Sequence, residues 1–163
     1  MSSNRRAAVL TVSDSVATGA RTDRSGPTAE DKLIAMGFNV VARAVVPDVR
    51  KQIAKQLYDW IEGSVAELIV TTGGTGLGPR DVTPEAVGDV IDREIPGYGE
   101  HLRADGLRHT PLAILSRSRA GAAGKTLILA LPGNPRAVVQ GLDAVQPTLP
   151  HALDLLAGKT EHD

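Results

Sequence analysis

A glycine- and hydroxyl-rich segment at residues 71–86 joins a short apolar run to a helical pattern. It reads Thr71-Thr72-Gly73-Gly74-Thr75-Gly76-Leu77-Gly78-Pro79-Arg80-Asp81-Val82-Thr83-Pro84-Glu85-Ala86. Leu68-Ile69-Val70 before it has the length and composition of a buried strand, and Val87, Val90 and Ile91 after it recur at helical spacing. A strand, a flexible loop and a helix in that order restrict the chain to α/β architectures. In open sheets of that class, ligands bind at the carboxyl ends of the strands. Backbone amides unobstructed by side chains, next to a helix start, suit an anion such as phosphate. Thr83 reads as the N-cap of the helix with Pro84 at its first position, which leaves Asp81 outside the helix and free to hold a cation.

Two familiar phosphate signatures are excluded. The dinucleotide fingerprint needs a third glycine where this chain has Pro79. Gly121-Ala122-Ala123-Gly124-Lys125-Thr126 ends like a P-loop, but the first glycine of that motif falls on Arg119, and Lys125-Thr126 leads into an apolar strand rather than a helix. Lys125 is retained only as a candidate phosphate contact.

Strand patterns at Ala7–Val12, Phe38–Val46, 68–71 and 126–131 alternate with helical ones. A long polar loop is expected from Ser13 to Pro27. Ala29, Leu33 and Met36 then form a helical face. Val49, Ile53, Leu57, Trp60 and Ile61 form an apolar stripe for which Asp48 serves as N-cap. A polar helix follows Pro96-Gly97, Leu112–Leu115 is a short apolar run, and residues 117–124 read as a glycine-rich link. Val138, Leu142 and Val145 share one helical face, and Leu149, Leu153 and Leu156 share another. The expected fold is a three-layer α/β/α domain spanning residues 1–163, with a mostly parallel sheet and frayed ends at 1–6 and 159–163. In such a sheet the clusters Ser13-Asp14, Pro47-Asp48, Gly73–Asp81 and Pro132-Gly133-Asn134 gather at one edge.

Composition removes several function classes. Without cysteine there are no disulfides, thiolate metal sites or cysteine nucleophiles, and the four histidines lack zinc-ligand spacing. A net charge of −1 and 2% aromatic residues argue against nucleic-acid binding. There is no run of about 20 apolar residues, the length a membrane span needs, and the first residues lack a secretory pattern, so a cytoplasmic protein is expected. Asp14, Asp48 and Asp81 beside an anion-binding loop suit magnesium-assisted phosphoryl or nucleotidyl transfer, because magnesium takes one or two carboxylates and completes its shell with phosphate and water.

Further segments carry a resemblance across residues 7 to 157: Thr11-Val12-Ser13-Asp14, Asp23-Arg24-Ser25-Gly26, Val46-Pro47-Asp48, the 72–76 and 79–86 motifs, Leu115-Ser116-Arg117 and Leu131-Pro132-Gly133. In this order they resemble the Mog-type molybdenum cofactor proteins, which include the gephyrin G domain and the MoaB-type proteins. The resemblance implies a nucleotidyltransferase: the terminal phosphate of molybdopterin attacks the α-phosphate of ATP with magnesium, giving adenylyl-molybdopterin and pyrophosphate. It implies Asp48 and Asp81 as catalytic and metal-holding residues. It also implies Ser13, Asp14, Thr72, Gly73, Gly74, Thr75, Gly76, Arg80, Ser116, Arg117, Pro132 and Gly133 around molybdopterin and nucleotide, with Ser116-Arg117 on the pterin side. A homotrimer and delivery to a downstream molybdate-insertion protein are further expectations. The alternative is a non-catalytic module that binds and presents molybdopterin, as a MoaB-like protein would.

Overall fold

A computed structural model describes residues 4–160. Six strands form one mixed sheet in the order β2-β1-β3-β6-β5-β4. These are β1 (Arg6–Val12), β2 (Asn39–Val46), β3 (Leu68–Thr72), β4 (Arg93–Glu94), β5 (Ala120–Ala123) and β6 (Thr126–Leu131). The β1–β2, β1–β3 and β3–β6 pairs are parallel, and β5 and β4 add an antiparallel edge.

The central strands β1, β3 and β6 are buried along nearly their whole length and mostly apolar because both faces of the sheet are covered. Along β1, Ala7 and Val9 enter one core, with Leu33, Leu129, Val138, Leu142 and Leu149. Ala8, Leu10 and Val12 enter the other, with Ile53, Leu57, Trp60, Ile69 and Val87. Helices α2 (Ser25–Ala35), α5 (Pro96–Gly106), α6 (Pro135–Val145) and α7 (Leu149–Leu156) supply the first layer; α3 (Arg50–Glu62) and α4 (Thr83–Val90) supply the second. Each fully buried Leu or Ile contributes roughly 1.5–3 kcal/mol relative to exposure, so a strand with side chains in both cores pins the two layers together. The three-layer expectation holds.

Several local expectations do not. The polar stretch after β1 is interrupted by α1 (Asp14–Ala17), and α2 begins at Ser25, placing Pro27 inside its first turn. Asp23 sets that start, because its carboxylate accepts from the Gly26 amide (2.9 Å) and from the Thr11 hydroxyl (2.7 Å). Leu112–Leu115 lies in a 3-10 helix over Pro111–Leu115, and the expected link at 117–124 contains β5. Val49 and Val82, not Asp48 and Thr83, occupy the N-cap positions of α3 and α4. Both displaced side chains bond to neighbouring loops instead. Fraying does not reach Arg5 and Arg6, since Arg5 pairs with Asp154 and Arg6 opens β1 with its guanidinium on Glu67 (2.9 Å). Lys159 also reaches Asp154, at 3.5 Å. Of the other residues expected to fray, Asn4 and Thr160 are exposed and in no helix or strand, and 1–3 and 161–163 lie outside the described residues.

Candidate functional site

Strands β1, β2, β3 and β6 run parallel, so their carboxyl ends deliver Ser13-Asp14, Asp48, the glycine-rich loop and Pro132-Gly133 to one edge. The loop is held down by its backbone. Gly73 continues the β3–β6 ladder by donating its amide to Leu131 O (3.0 Å), and Thr83 donates its amide to Gly74 O (3.1 Å) and its hydroxyl to Gly73 O (2.8 Å). Gly73 has φ +98°, and a Cβ there would collide with the carbonyl oxygen of Val12. No other residue fits without moving a strand.

One corner of this edge is charged. Asp14 and Asp48 exchange hydrogen bonds: the Asp14 amide donates to Asp48 Oδ2 (2.8 Å), and the Asp48 amide donates to Asp14 Oδ1 (2.9 Å). The two carboxylates are thereby fixed next to each other at the ends of β1 and β2. Arg80 reaches back from the loop tip and forks onto Asp14, with Nε to Oδ2 at 3.0 Å and Nη2 to Oδ1 at 3.1 Å. Arg80 and the Asp48 amide together hold the Asp14 carboxyl below the usual carboxylate range. Asp48 is pushed the other way: burial raises its pKa, the like charges of Asp14 and Asp81 add to the effect, and the Asp14 amide and Arg80 only partly offset it. Asp81 folds back on its own loop, where its Oδ2 accepts from the Gly78 amide (2.8 Å).

The corner fits magnesium by donor chemistry. The atoms that could ligate it are hard carboxylate oxygens, those of Asp48 facing the like charges of Asp14 and Asp81. Among the described residues no three His, Cys, Asp or Glu side chains form a metal-holding cluster; magnesium, completed by phosphate and water, does not need one.

The other side of the loop is apolar. A cleft of about 590 Å³ opens between the loop, α5, the 3-10 helix and α6. Leu102, Leu112, Leu115 and Leu131 wall it, and Ser116, Ser118, Asn134 and Gln140 supply hydrogen-bonding groups. Gly73 to Leu77 and Asp81 line it too, so Asp81 belongs to the cleft while influencing Asp48 on the charged side.

Most of the expected site residues meet here in distinct ways. Gly73, Gly74, Thr75, Gly76, Asp81, Ser116, Pro132 and Gly133 line the cleft; Asp14, Asp48 and Arg80 form the charged corner. Ser13 caps α1, its Oγ accepting from the Val16 amide (3.3 Å). Thr72 is fully buried beneath the loop, its hydroxyl bonded to that of Ser25 (2.8 Å). Arg117 directs its guanidinium to Gly76 O, Asp81 O and Glu85. Lys125 is not part of the edge. It sits in the turn between β5 and β6, next to the amino-terminal start of β6, and so cannot serve as the phosphate contact considered for it. Arg119 pairs with Glu94 (2.8 Å) and donates to Pro84 O (2.9 Å). Sequence reasoning missed Glu85 and the α5 and α6 walls of the cleft. The signal available for Glu85 is its own place just after Thr83-Pro84, where a helix start favours an acidic side chain.

Comparison with known proteins finds a matching family and similar chains. Residues 8–151 match the model of a probable molybdopterin binding domain. Over 152 residues the chain is 40% identical to a molybdopterin adenylyltransferase of Helicobacter pylori strain J99, covering 92% of this chain and 86% of that protein. The molybdopterin adenylyltransferase of Escherichia coli K12 is 36% identical over 86% of this chain and 73% of its own length. Among solved structures, the molybdopterin biosynthesis enzyme MoaB from Thermus thermophilus superposes with a TM-score of 0.89 at 48% identity, covering 95% of this chain and 98% of that one. The molybdopterin biosynthesis Mog protein from Mycobacterium ulcerans superposes with a TM-score of 0.88 at 39% identity, covering 96% and 99%.

Proposed function

The chain belongs to the family of probable molybdopterin binding domains, and on that premise we propose that it is a molybdopterin adenylyltransferase acting in molybdenum cofactor biosynthesis. The reaction joins the terminal phosphate of molybdopterin to the α-phosphorus of ATP. A new oxygen–phosphorus bond forms as the bond to the β-phosphate breaks, and pyrophosphate leaves. The observation that carries this reading is the two-sided loop: Gly73–Leu77 and Asp81 line an apolar cleft of about 590 Å³, while Gly74 lies against the Asp48 carboxylate and Arg80 at the loop tip forks onto Asp14.

The cleft suits a flat pterin, with apolar walls for the ring and Ser116, Ser118 and Gln140 for its polar edge. The loop at Gly73–Gly76 brings the substrate phosphate beside Asp81. Asp48 and Asp81 would hold magnesium, which when bound offsets negative charge on the phosphates and aligns attacking and leaving oxygens. The role of Arg80 is to balance Asp14 and to share developing phosphate charge. No side chain forms a covalent bond to substrate in this scheme; the enzyme's contribution is placement and electrostatics. By family resemblance the proposal extends to a homotrimer, a cytoplasmic setting and transfer of product to a molybdate-insertion protein.

Pyrophosphate release is the test. It should require ATP, molybdopterin and magnesium together, and Asp81→Asn should abolish it while leaving circular dichroism and Tm unchanged. Wild-type turnover by that variant would remove Asp81 from the mechanism. Tight molybdopterin binding by the wild-type chain without ATP-dependent release would identify a presenting module instead.

A further inference from the structure

Arg117 directs its hydrogen-bond donors at the protein itself. Its amide donates to Thr75 O (2.8 Å), its Nε to Gly76 O (2.8 Å) and its Nη2 to Asp81 O (2.7 Å), while Nη1 pairs with Glu85. Gly76 and Asp81 stand on either side of the exposed loop tip at residues 77–80. A single planar group therefore pins both feet of that excursion. Its flanking residues, Ser116 and Ser118, face the cleft.

Building on the adenylyltransferase reading, we propose that Arg117 is a positioning residue that sets Asp81 against Asp48, and not a ligand for an anionic group of the substrate. A guanidinium is the side chain for this task. Its in-plane donors can engage two carbonyls and a carboxylate at once, whereas a lysine ammonium is a compact point charge that cannot span them. Glu85, in the first turn of α4, holds the outer end of the fork, and the guanidinium keeps its carboxyl below the usual glutamate range. Thr83 completes the arrangement from the same helix by binding Gly73 O and Gly74 O. The loop that carries Asp81 is thus held between the first turn of α4 and the segment leading into β5.

The experiment compares wild type, Arg117→Lys and Glu85→Gln in three measurements: steady-state pyrophosphate release, Mn2+ binding by electron paramagnetic resonance, and molybdopterin binding by fluorescence without ATP. Misplacing a catalytic group by about 1 Å costs roughly 100-fold in rate, and losing a residue that orients a metal ligand costs about 10-fold or more in metal affinity. Arg117→Lys should therefore lose about 100-fold in kcat and weaken Mn2+ about tenfold, with molybdopterin Kd unchanged within about twofold. Glu85→Gln keeps an acceptor oxygen and should show the same pattern in smaller measure, with kcat down about tenfold and Mn2+ weakened about threefold. It carries the test if Arg117→Lys does not fold. A molybdopterin Kd raised about tenfold with unaltered Mn2+ binding would make Arg117 a substrate ligand and overturn the proposal. Failure of the wild-type chain to release pyrophosphate is a separate result that strikes the adenylyltransferase reading, because Mn2+ and molybdopterin binding report on Arg117 without turnover.

Discussion

The chain contains two glycine-rich segments of similar composition, and they do opposite things. Gly73–Gly78 follows β3 and leads into α4; Gly121–Thr126 runs through β5 and its turn into β6. By residue pattern the latter is closer to a phosphate loop, because it ends Gly-Lys-Thr. Yet its glycines answer to packing. Gly121 lies flat against Ile91 and the backbone of Arg93, and Gly124 simply turns the chain at φ +58° with open space around it. Gly73 and Gly74 answer instead to neighbouring strand ends and a helix start, through Val12, Leu131 and Thr83, and Gly76 and Gly78 make room for the Asp81 carboxylate. A glycine-rich run acquires a binding role from where the sheet delivers it. The residue pattern inside it decides less.

This contrast can be broken experimentally, and the largest effect should come from Gly73→Ala. The positive φ and the collision with Val12 O require a strand end to move, so we expect a loss of about 3 kcal/mol or more and of pyrophosphate release. Chemical denaturation and turnover would check both; a stable, active variant would remove the claim that Val12 and Gly73 are in enforced contact. Gly124→Ala faces strain in φ alone and should cost about 1 kcal/mol. That corresponds to a Tm drop of roughly 2–4 °C with kcat unchanged. An activity loss there would mean that the turn communicates with the site. Lys125→Ala should be the mildest, within about 0.5 kcal/mol of wild type and without effect on KM for ATP. A raised KM would restore the P-loop interpretation that the fold argues against.

The same contrast explains what was legible in the residues. The runs at β1, β3 and β6 stand out because strands buried on both faces need continuous apolar sequence. The aspartates stand out because each follows such a run or sits in the loop after one. β4 and β5 carried no such signal: Arg93-Glu94 is charged, and Ala120–Ala123 consists of small residues with little strand preference. β5 folds back onto β6 across the tight turn at Gly124-Lys125, and β4 then pairs with β5. The helix starts were misplaced for a related reason. Asp48 and Thr83 have the chemistry of caps, but the loops from β1 and β3 offer them better partners. The Arg80–Asp14 and Arg117–Glu85 pairs join distant parts of the chain, and spacing along a sequence does not reveal such partnerships.

The place of β3 in the sheet also bears on how the molecule comes to be folded. Its floor beneath the loop is complete only when β6 has paired alongside it, and β6 comes from far down the chain, after α4, α5 and the β4–β5 edge have been made. Non-local parallel pairings of this kind incur their loop-closure entropy before they are rewarded. The β3–β6 pairing spans about as much chain as the β1–β3 pairing, so the floor under the glycine-rich loop requires two non-local pairings at once. A chain interrupted before β6 contains every aspartate of the charged corner and still lacks the Leu131 carbonyl that receives Gly73. Competence for ligand thus requires the completed sheet, and binding during refolding should not appear before β6 has paired with β3.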